Sequence, residues 1–164
     1  MDNPQYKHAL ALNPYFGGGT AAMGIFPPTG LEYIAASMKD LIGKVTLLDL
    51  RYERAYQNPT VLGKLIRADV DLLCISMGWH SRFKDTCDFV SRLPCEVTTV
   101  VGGHTATQEV ERLFARCPNI DMIARGEGEE IIVIVYRVSG PKGPEVLTLA
   151  SDGSIVAKHA RCKG

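Results

Sequence analysis

Residues 100–107 read Val100-Val101-Gly102-Gly103-His104-Thr105-Ala106-Thr107, and this stretch is the most informative feature of the sequence. A β-branched run ends there in two adjacent glycines, and the start of a helix follows. Parallel sheets hold their ligands at such turns, at the carboxyl ends of the strands. The paired glycines let a large ligand approach the backbone, because neither carries a Cβ. The hydroxyls of Thr105 and Thr107 stand near the helix start, where they can cap the helix or donate to a ligand.

The same pattern occurs a second time further along the chain, in Arg125-Gly126-Glu127-Gly128-Glu129-Glu130. An apolar strand again runs into a turn broken by glycines, and acidic residues then stand in the first turn of a predicted helix, where they are favourable. Two turns of this kind at neighbouring strand ends predict a binding site as well as a fold.

Apolar segments of strand length alternate with helical patterns along the whole chain. We predict strands at 7–13, 44–50, 71–77, 96–101 and 120–124, and helices at 29–42, 59–68, 83–90 and 106–117. Most of these strands are apolar on both faces, which is typical of a parallel sheet covered by helices on each side. The predicted fold class is α/β: a doubly wound, five-stranded parallel sheet in the order 2-1-3-4-5, followed by a β-hairpin at 146–158. Residues 131–135 are β-branched throughout, so the sequence does not decide between a helix and a strand for this segment.

Composition narrows the class of protein. The chain has 164 residues, 46% of them hydrophobic and 22% charged, with zero net charge, as expected for one globular domain. There is no basic stripe for nucleic acid and no apolar run that could span a membrane. The start lacks the features of a secretion signal. Five cysteines without a CxxC pair favour a reducing, cytoplasmic setting.

Three alternative chemistries fit poorly. Gly17, Gly19 and Ala22 satisfy the dinucleotide pattern G-x-G-x-x-A, but Pro27-Pro28 delay the helix that this motif requires until about Thr29. A phospho-receiver domain would need acidic residues directly after the first strand, and a flavodoxin would need a hydroxyl-rich phosphate loop there; Pro14-Tyr15-Phe16 provides neither. The histidines and cysteines lack the spacing of a zinc or iron-sulfur site.

Three residues in the turns keep two interpretations each. His80 and His104 follow the third and fourth strands, and each is either an ordinary polar loop residue or a ligand contact. Trp79, the only tryptophan, either covers the core or packs against a flat ligand.

Several segments taken in order resemble a known family. They are Asn13-Pro14, the run from Pro27 to Ala36 (PPTGLEYIAA), Leu47-Leu48-Asp49, Leu73-Cys74-Ile75-Ser76, Val101-Gly102-Gly103 and Arg125-Gly126-Glu127-Gly128-Glu129. Together they resemble the amino-terminal cobalamin (vitamin B12)-binding domain of the cobalamin-dependent radical S-adenosylmethionine enzymes, over about residues 7 to 158.

The resemblance implies a flavodoxin-like (Rossmann-like) fold that grips cobalamin at the carboxyl ends of its strands. It assigns no catalytic residue and no metal ligand to this chain. The contacts it implies lie in the turns after the strands: Tyr15, Phe16, Ser76, Met77, Gly78, Trp79, His80, Gly102, Gly103, His104, Thr105, Ala106, Thr107, Arg125, Gly126, Glu127 and Gly128.

The sequence departs from this family and from related cobalamin domains in two features that involve histidine. His104 directly follows the Gly-Gly pair, one position earlier than in the family's usual Pro-His. The DxHxxG motif of cobalamin domains that ligate cobalt through histidine is absent, and the loop from Pro14 to Pro27 contains no histidine. We therefore expect that the cofactor's own base is displaced from cobalt without a histidine replacing it, and that Tyr15 or Phe16 lies near the lower face of the ring.

The resemblance places the catalytic chemistry outside this chain. The family carries its 4Fe-4S cluster on a CxxxCxxC motif in a following barrel that also binds S-adenosylmethionine, and the motif is absent here. We expect residues 1–140 to form the cobalamin-binding domain and 141–164 a hairpin and linker toward a radical SAM domain of a longer methyltransferase or related enzyme. Alone, the chain is expected to bind and present cobalamin without catalysing a reaction. The alternatives are an interaction domain that has lost its ligand, and a flavin or nucleotide binder.

Overall fold

The fold is described from a computed structural model, which covers residues 6–15, 27–78, 80–126, 128–138 and 155–157. Within these ranges, six strands form a sheet in the order β2-β1-β3-β4-β5-β6, in which the first five strands are parallel and β6 is antiparallel to β5. The strands are β1 (His8–Asn13), β2 (Lys44–Asp49), β3 (Leu72–Ser76), β4 (Thr98–Gly102), β5 (Met122–Ala124) and β6 (Ile155–Ala157).

The described residues contain six α-helices: α1 (Thr29–Met38), α2 (Pro59–Asp69), α3 (Phe83–Val90), α4 (His104–Gln108), α5 (Val110–Arg116) and α6 (Gly128–Val138). Short 3-10 turns at Arg54–Gln57 and His80–Arg82 precede α2 and α3. Helix α1 begins at Thr29, where the sequence predicts it, and the segment with the dinucleotide-like glycines lies outside the described residues.

The sheet is covered on both faces, as the doubly apolar strands predict. One layer contains α2, α3, α4 and α5, whose buried side chains pack with Leu10, Leu73 and Val101 of the strands. The other layer contains α1 and α6, which pack against Cys74 and Val100. The predicted α/β class and the parallel order 2-1-3-4-5 are therefore confirmed.

Aspartates that precede two strands hold the amino-terminal edge of the sheet in register. Asp71, just before β3, accepts hydrogen bonds from the amides of Lys7 (2.8 Å) and His8 (3.0 Å) at the start of β1. Asp121, just before β5, accepts one from the amide of Thr99 in β4 at 2.8 Å. Each carboxylate satisfies amides that would otherwise lack a partner at a strand end.

The structure differs from the sequence prediction in one helix, settles a segment that the sequence left open, and adds a strand to the predicted sheet. The predicted fourth helix is divided into α4 and α5 at Glu109, whose backbone leaves the helical region (φ −115°, ψ 31°). Residues 128–138 are a helix despite their β-branched side chains, because Ile132 and Val135 are buried on one face. Of the predicted hairpin, only 155–157 lie within the described residues, and they extend the main sheet beside β5. Within the described ranges, every helix is too short or too polar to cross a membrane.

We predict that Leu73→Ala lowers the free energy of unfolding by about 2–5 kcal/mol, because this fully buried side chain of a central strand leaves a cavity when truncated. Leu47→Ala is the matched control, since Leu47 lies on the edge strand β2 and is 37% exposed; its cost is about 1 kcal/mol or less. Urea denaturation followed by circular dichroism measures both. Equal losses in the two variants would contradict the central position of Leu73.

Candidate functional site

A cleft of about 190 Å³ opens at the carboxyl ends of β3, β4 and β5, between the sheet and helices α1 and α6. It lies in the layer formed by these two helices. Its lining is dominated by glycine and by aliphatic side chains. The lining residues are Gly30, Leu31, Ile34, Cys74, Ile75, Ser76, Val100, Gly102, Gly103, Ala124, Gly126, Gly128 and Ile132.

The strands contribute two rows of residues to this cleft. In the outer row, nearest the strand ends, Ser76 of β3 pairs with Gly102 of β4. A Cβ on Gly102 would lie 3.5 Å from the Cβ of Ala124 in β5, so the outer row consists of small residues only. In the inner row, Cys74 pairs with Val100. The small outer row leaves room for a ligand, and the larger inner row closes the cleft below it.

Helices α1 and α6 supply the opposite wall. Ile34 is half-buried on α1, and Ile132 of α6 is 3% exposed. A Cβ on Gly128 would lie 2.9 Å from Cδ1 of Ile34, so the first turn of α6 directly adjoins α1 at the mouth of the cleft. Any larger residue at position 128 would have to displace Ile34.

Gly103 joins the ends of β3 and β4. Its φ of 107° lies in the region that favours glycine, and a Cβ there would come within 2.8 Å of the carbonyl oxygen of Met77. The amide of Met77 donates to the carbonyl of Gly102 at 2.8 Å, and the carbonyl of Met77 accepts from the amide of Thr105 at 3.0 Å. The Gly-Gly turn therefore holds the two strand ends and the start of α4 together.

The structure brings part of the predicted site together. Ser76, Gly102, Gly103, Gly126 and Gly128 all line the cleft. Gly78, Arg125 and His104 are exposed near the same edge of the sheet. His104 is hydrogen-bonded within its own helix, with Nε2 lying 3.1 Å from Nε2 of Gln108.

Other predicted residues lie elsewhere. Met77 and Ala106 are buried in the core of the opposite layer, and Tyr15 packs against that same core. The hydroxyl of Thr107 donates to the carbonyl of Gly103 at 3.1 Å, so it is engaged within α4. Thr105 is fully buried, and its Oγ1 has no hydrogen-bond partner among the described residues.

Three predicted residues, Phe16, Trp79 and Glu127, lie outside the described residues. The backbone of His80 begins the 3-10 turn that precedes α3, whereas its side chain is not among those that the structure describes. The predicted contacts of these four side chains therefore stay predictions.

Several cleft residues are not among those predicted from the sequence: Gly30, Leu31, Ile34, Cys74, Ile75, Val100, Ala124 and Ile132. Most have the periodicity of ordinary core residues, which hides a ligand-facing role. Gly30 is different, because it lies inside a helix and a Cβ there would meet no atom within 4 Å. A glycine within a helical pattern that no packing requires is the one feature that could have indicated a role of Gly30 in the site.

A buried ion pair lies at the ends of β1 and β2. Asp49 accepts hydrogen bonds from Asn13 (3.1 Å) and from the side chain of Arg51 (2.5–3.0 Å), and both members of the ion pair are largely buried. Burial alone raises the pKa of the Asp49 carboxyl, but the hydrogen bonds from Arg51 and Asn13 outweigh it, so the pKa is lowered from its ordinary value. This ion pair stabilises the strand ends beside the switch point of the sheet.

The described residues contain no group of His, Cys, Asp or Glu side chains that could hold a metal ion. His8 is buried at the amino-terminal edge of the sheet, where Nε2 lies 2.8 Å from Oγ1 of Thr46 and Nδ1 lies 3.0 Å from Oδ2 of Asp69. It is therefore remote from the cleft and belongs to the framework.

Comparison with known proteins bears on the family and the fold of the chain. Residues 18–135, most of the chain, match the family model described as the B12 binding domain. The sequence matches no curated protein.

Two solved structures share the fold. TsrM from Kitasatospora setae, a radical S-adenosylmethionine methyltransferase with cobalamin and a 4Fe-4S cluster bound, is 17% identical with a TM-score of 0.62, over 80% of this chain and 26% of that one. OxsB, a cobalamin-dependent S-adenosylmethionine radical enzyme with aqua-cobalamin and S-adenosylmethionine bound, is 15% identical with a TM-score of 0.60, over 94% of this chain and 22% of that one. The chain thus spans about a quarter of the length of these structures.

We predict that Gly103→Ala lowers the free energy of unfolding by at least about 1–2 kcal/mol, since alanine is strained at positive φ and its Cβ would contact the Met77 backbone. Gly78→Ala is the control, because no atom lies within 4 Å of a Cβ at that position; its effect is about 0.5 kcal/mol or less. Chemical denaturation measures both, and indistinguishable midpoints would contradict the described turn.

The ion pair predicts a pH-dependent stability. Because the pKa of Asp49 is lower in the folded state, its contribution is complete above the ordinary value of 3.8 and is lost as pH falls through the lowered value. We predict that Asp49→Asn costs on the order of 1–3 kcal/mol at neutral pH and that this difference shrinks at acid pH. Asp88→Asn, at an exposed ion pair, costs much less. A difference between wild type and Asp49→Asn that is constant with pH would refute this account.

Proposed function

Because the chain belongs to the B12-binding domain family, whose model it matches over residues 18–135, we propose that its cleft receives the base of cobalamin's nucleotide tail while the corrin ring lies outside, over the carboxyl ends of the strands. The family resemblance and the flavodoxin-like fold inferred from the sequence are confirmed, and cobalamin is the cofactor of this family. The size and lining of the cleft carry the proposal.

The cleft has the dimensions of a seat for one small aromatic group. At about 190 Å³ it is slightly larger than the cavity of about 150 Å³ that accommodates a benzene molecule in a protein core. A corrin ring is far too large to enter it. The outer row of small residues, Gly102 above all, provides the opening, because a side chain there would occupy the space that the base needs.

The rim of the cleft suits the polar parts of the same ligand. Helix α6 begins at Gly128, two residues after Gly126, and the first turn of a helix presents amides that have no partner within the helix. Amides in that position favour a phosphate group, such as the one in the nucleotide tail. The exposed residues Gly78, His104 and Arg125 lie at the edge where the corrin amides would be.

The role that we propose for this domain is to bind and present cobalamin within a radical SAM methyltransferase or a related enzyme. Cobalamin, when bound, supplies a cobalt atom that can carry and transfer a methyl group. The residues of this chain bind the tail, orient the ring over the strand ends and exclude water from the base. S-adenosylmethionine and the iron-sulfur cluster would be bound by a separate radical SAM domain. Buried free thiols at Cys74, Cys87 and Cys117 suit a reducing, cytoplasmic setting.

The test compares cobalamin with cobinamide, a corrinoid that lacks the nucleotide tail. We predict that the purified chain forms a coloured complex with hydroxocobalamin and that Gly102→Leu weakens this binding at least about tenfold, because leucine fills the seat of the base. Cobinamide affinity should not change, since it has no base to exclude. Ala68→Leu places the same side chain at an exposed position of α2 and serves as the control.

Two results would contradict the proposal. One is the absence of any coloured complex at high cobalamin excess, and the other is equal cobalamin affinity in wild type and Gly102→Leu. Circular dichroism and the urea midpoint of each variant show whether the domain is folded. Yellow protein that retains a flavin would instead support the alternative flavin-binding function.

A further inference from the structure

The cleft contains almost no polar side chain. Its lining consists of five glycines, six aliphatic residues, one thiol and one hydroxyl, with no carboxylate, amide, imidazole or cation among the described residues. The hydroxyl belongs to Ser76 in the outer row, and the thiol of Cys74 is the only polar side-chain group of the inner row. The composition of the floor therefore determines which bases can be buried there.

Cys74 offers a base very little hydrogen bonding. The side chain is 3% exposed, and none of the described residues forms a hydrogen bond with it. Burial raises the pKa of this thiol to about 12, so it stays protonated and uncharged at neutral pH. A thiol is a weak donor and a weak acceptor, which makes the floor of the cleft effectively apolar.

The backbone around the cleft is largely engaged as well. Residues 74–76 and 100–102 pair in the parallel ladder of β3 and β4. The carbonyl of Gly102 accepts from the amide of Met77 at 2.8 Å, and the carbonyl of Gly103 accepts from the amide of Thr107 at 3.0 Å. The amides of the first turn of α6 lie at the mouth and not at the floor. A base at the inner row thus meets carbon, sulfur and occupied backbone groups.

We propose that this cleft selects corrinoids by the polarity of their lower base: it accepts an apolar benzimidazole and discriminates against a purine, with Cys74 as the residue that determines this preference. The inference rests on the proposed function, because it concerns the same cleft. A purine brings additional ring nitrogens and an exocyclic amine that are hydrogen-bonded to water outside the protein. Entry into the cleft removes that water and supplies no partner, which is unfavourable for each such group.

The experiment measures dissociation constants of the purified chain for cobalamin and for the corresponding corrinoid with an adenine base, by equilibrium dialysis. We expect the adenine corrinoid to bind at least about tenfold more weakly, the difference expected from one buried polar group without a partner. Equal affinities would overturn the inference and leave the proposed function standing. Failure of both corrinoids to bind would instead contradict the proposed function itself.

A matched pair of variants tests the role of Cys74. Cys74→Ser keeps the size of the side chain and replaces the thiol with a strong donor and acceptor, so we expect the ratio of the two dissociation constants to fall several-fold. Cys87→Ser makes the same change in a cysteine buried in the opposite layer and should leave the ratio at its wild-type value. The ratio is insensitive to partial unfolding, because a loss of folded protein affects both ligands equally. An unchanged ratio in Cys74→Ser would exclude Cys74 as the selective residue.

Discussion

The close approach of Gly103 to the backbone of Met77 is the constraint on which the site depends. A Cβ at position 103 would lie 2.8 Å from the Met77 carbonyl oxygen, and that same carbonyl accepts the amide of Thr105 at 3.0 Å. This contact keeps the carboxyl ends of β3 and β4 side by side, and α4 begins next to them. Ser76 and Gly102 are thereby placed side by side, and the mouth of the cleft takes its shape from them.

The two layers of the fold have different packing and serve different purposes. The layer formed by α2 to α5 contains large side chains such as Leu113 and Phe83 in close contact, which gives the sheet a rigid support. In the layer of α1 and α6, small residues at the strand ends leave space that none of the described side chains fills. A preformed cleft on a rigid sheet can hold a ligand at little cost in ordering the protein. The buried ion pair of Asp49 and Arg51 extends this support to the neighbouring strand ends.

The sequence identifies the turns but does not show which face of the sheet each of their residues lies on. Ser76 and Met77 are adjacent in the chain, yet Ser76 lines the cleft and Met77 belongs to the opposite core. Ala106 likewise turns into that core from α4. Side chains point to alternate faces along a strand and in successively rotated directions along a helix. Residues that are continuous in the predicted site therefore lie in two different layers. The β-branched run of α6 was ambiguous for a related reason, since burial of Ile132 and Val135 overrode a weak local preference.

The sequence alone determined the alternation of strands and helices, the parallel order, the glycine-broken turns and the family resemblance. The alternation and the turns follow from local chemistry, because apolar periodicity, proline and glycine act on the residues beside them, whereas the family is indicated by the resemblance of several motifs taken in order. Tertiary structure decided which layer contains the cleft, that α1 and α6 form its wall, and that Cys74 and Val100 form its floor. These residues are far apart in the chain and have the pattern of ordinary core positions. A hydrophobic pattern shows that a side chain is buried, and only the packed fold shows whether another side chain or an open space lies against it.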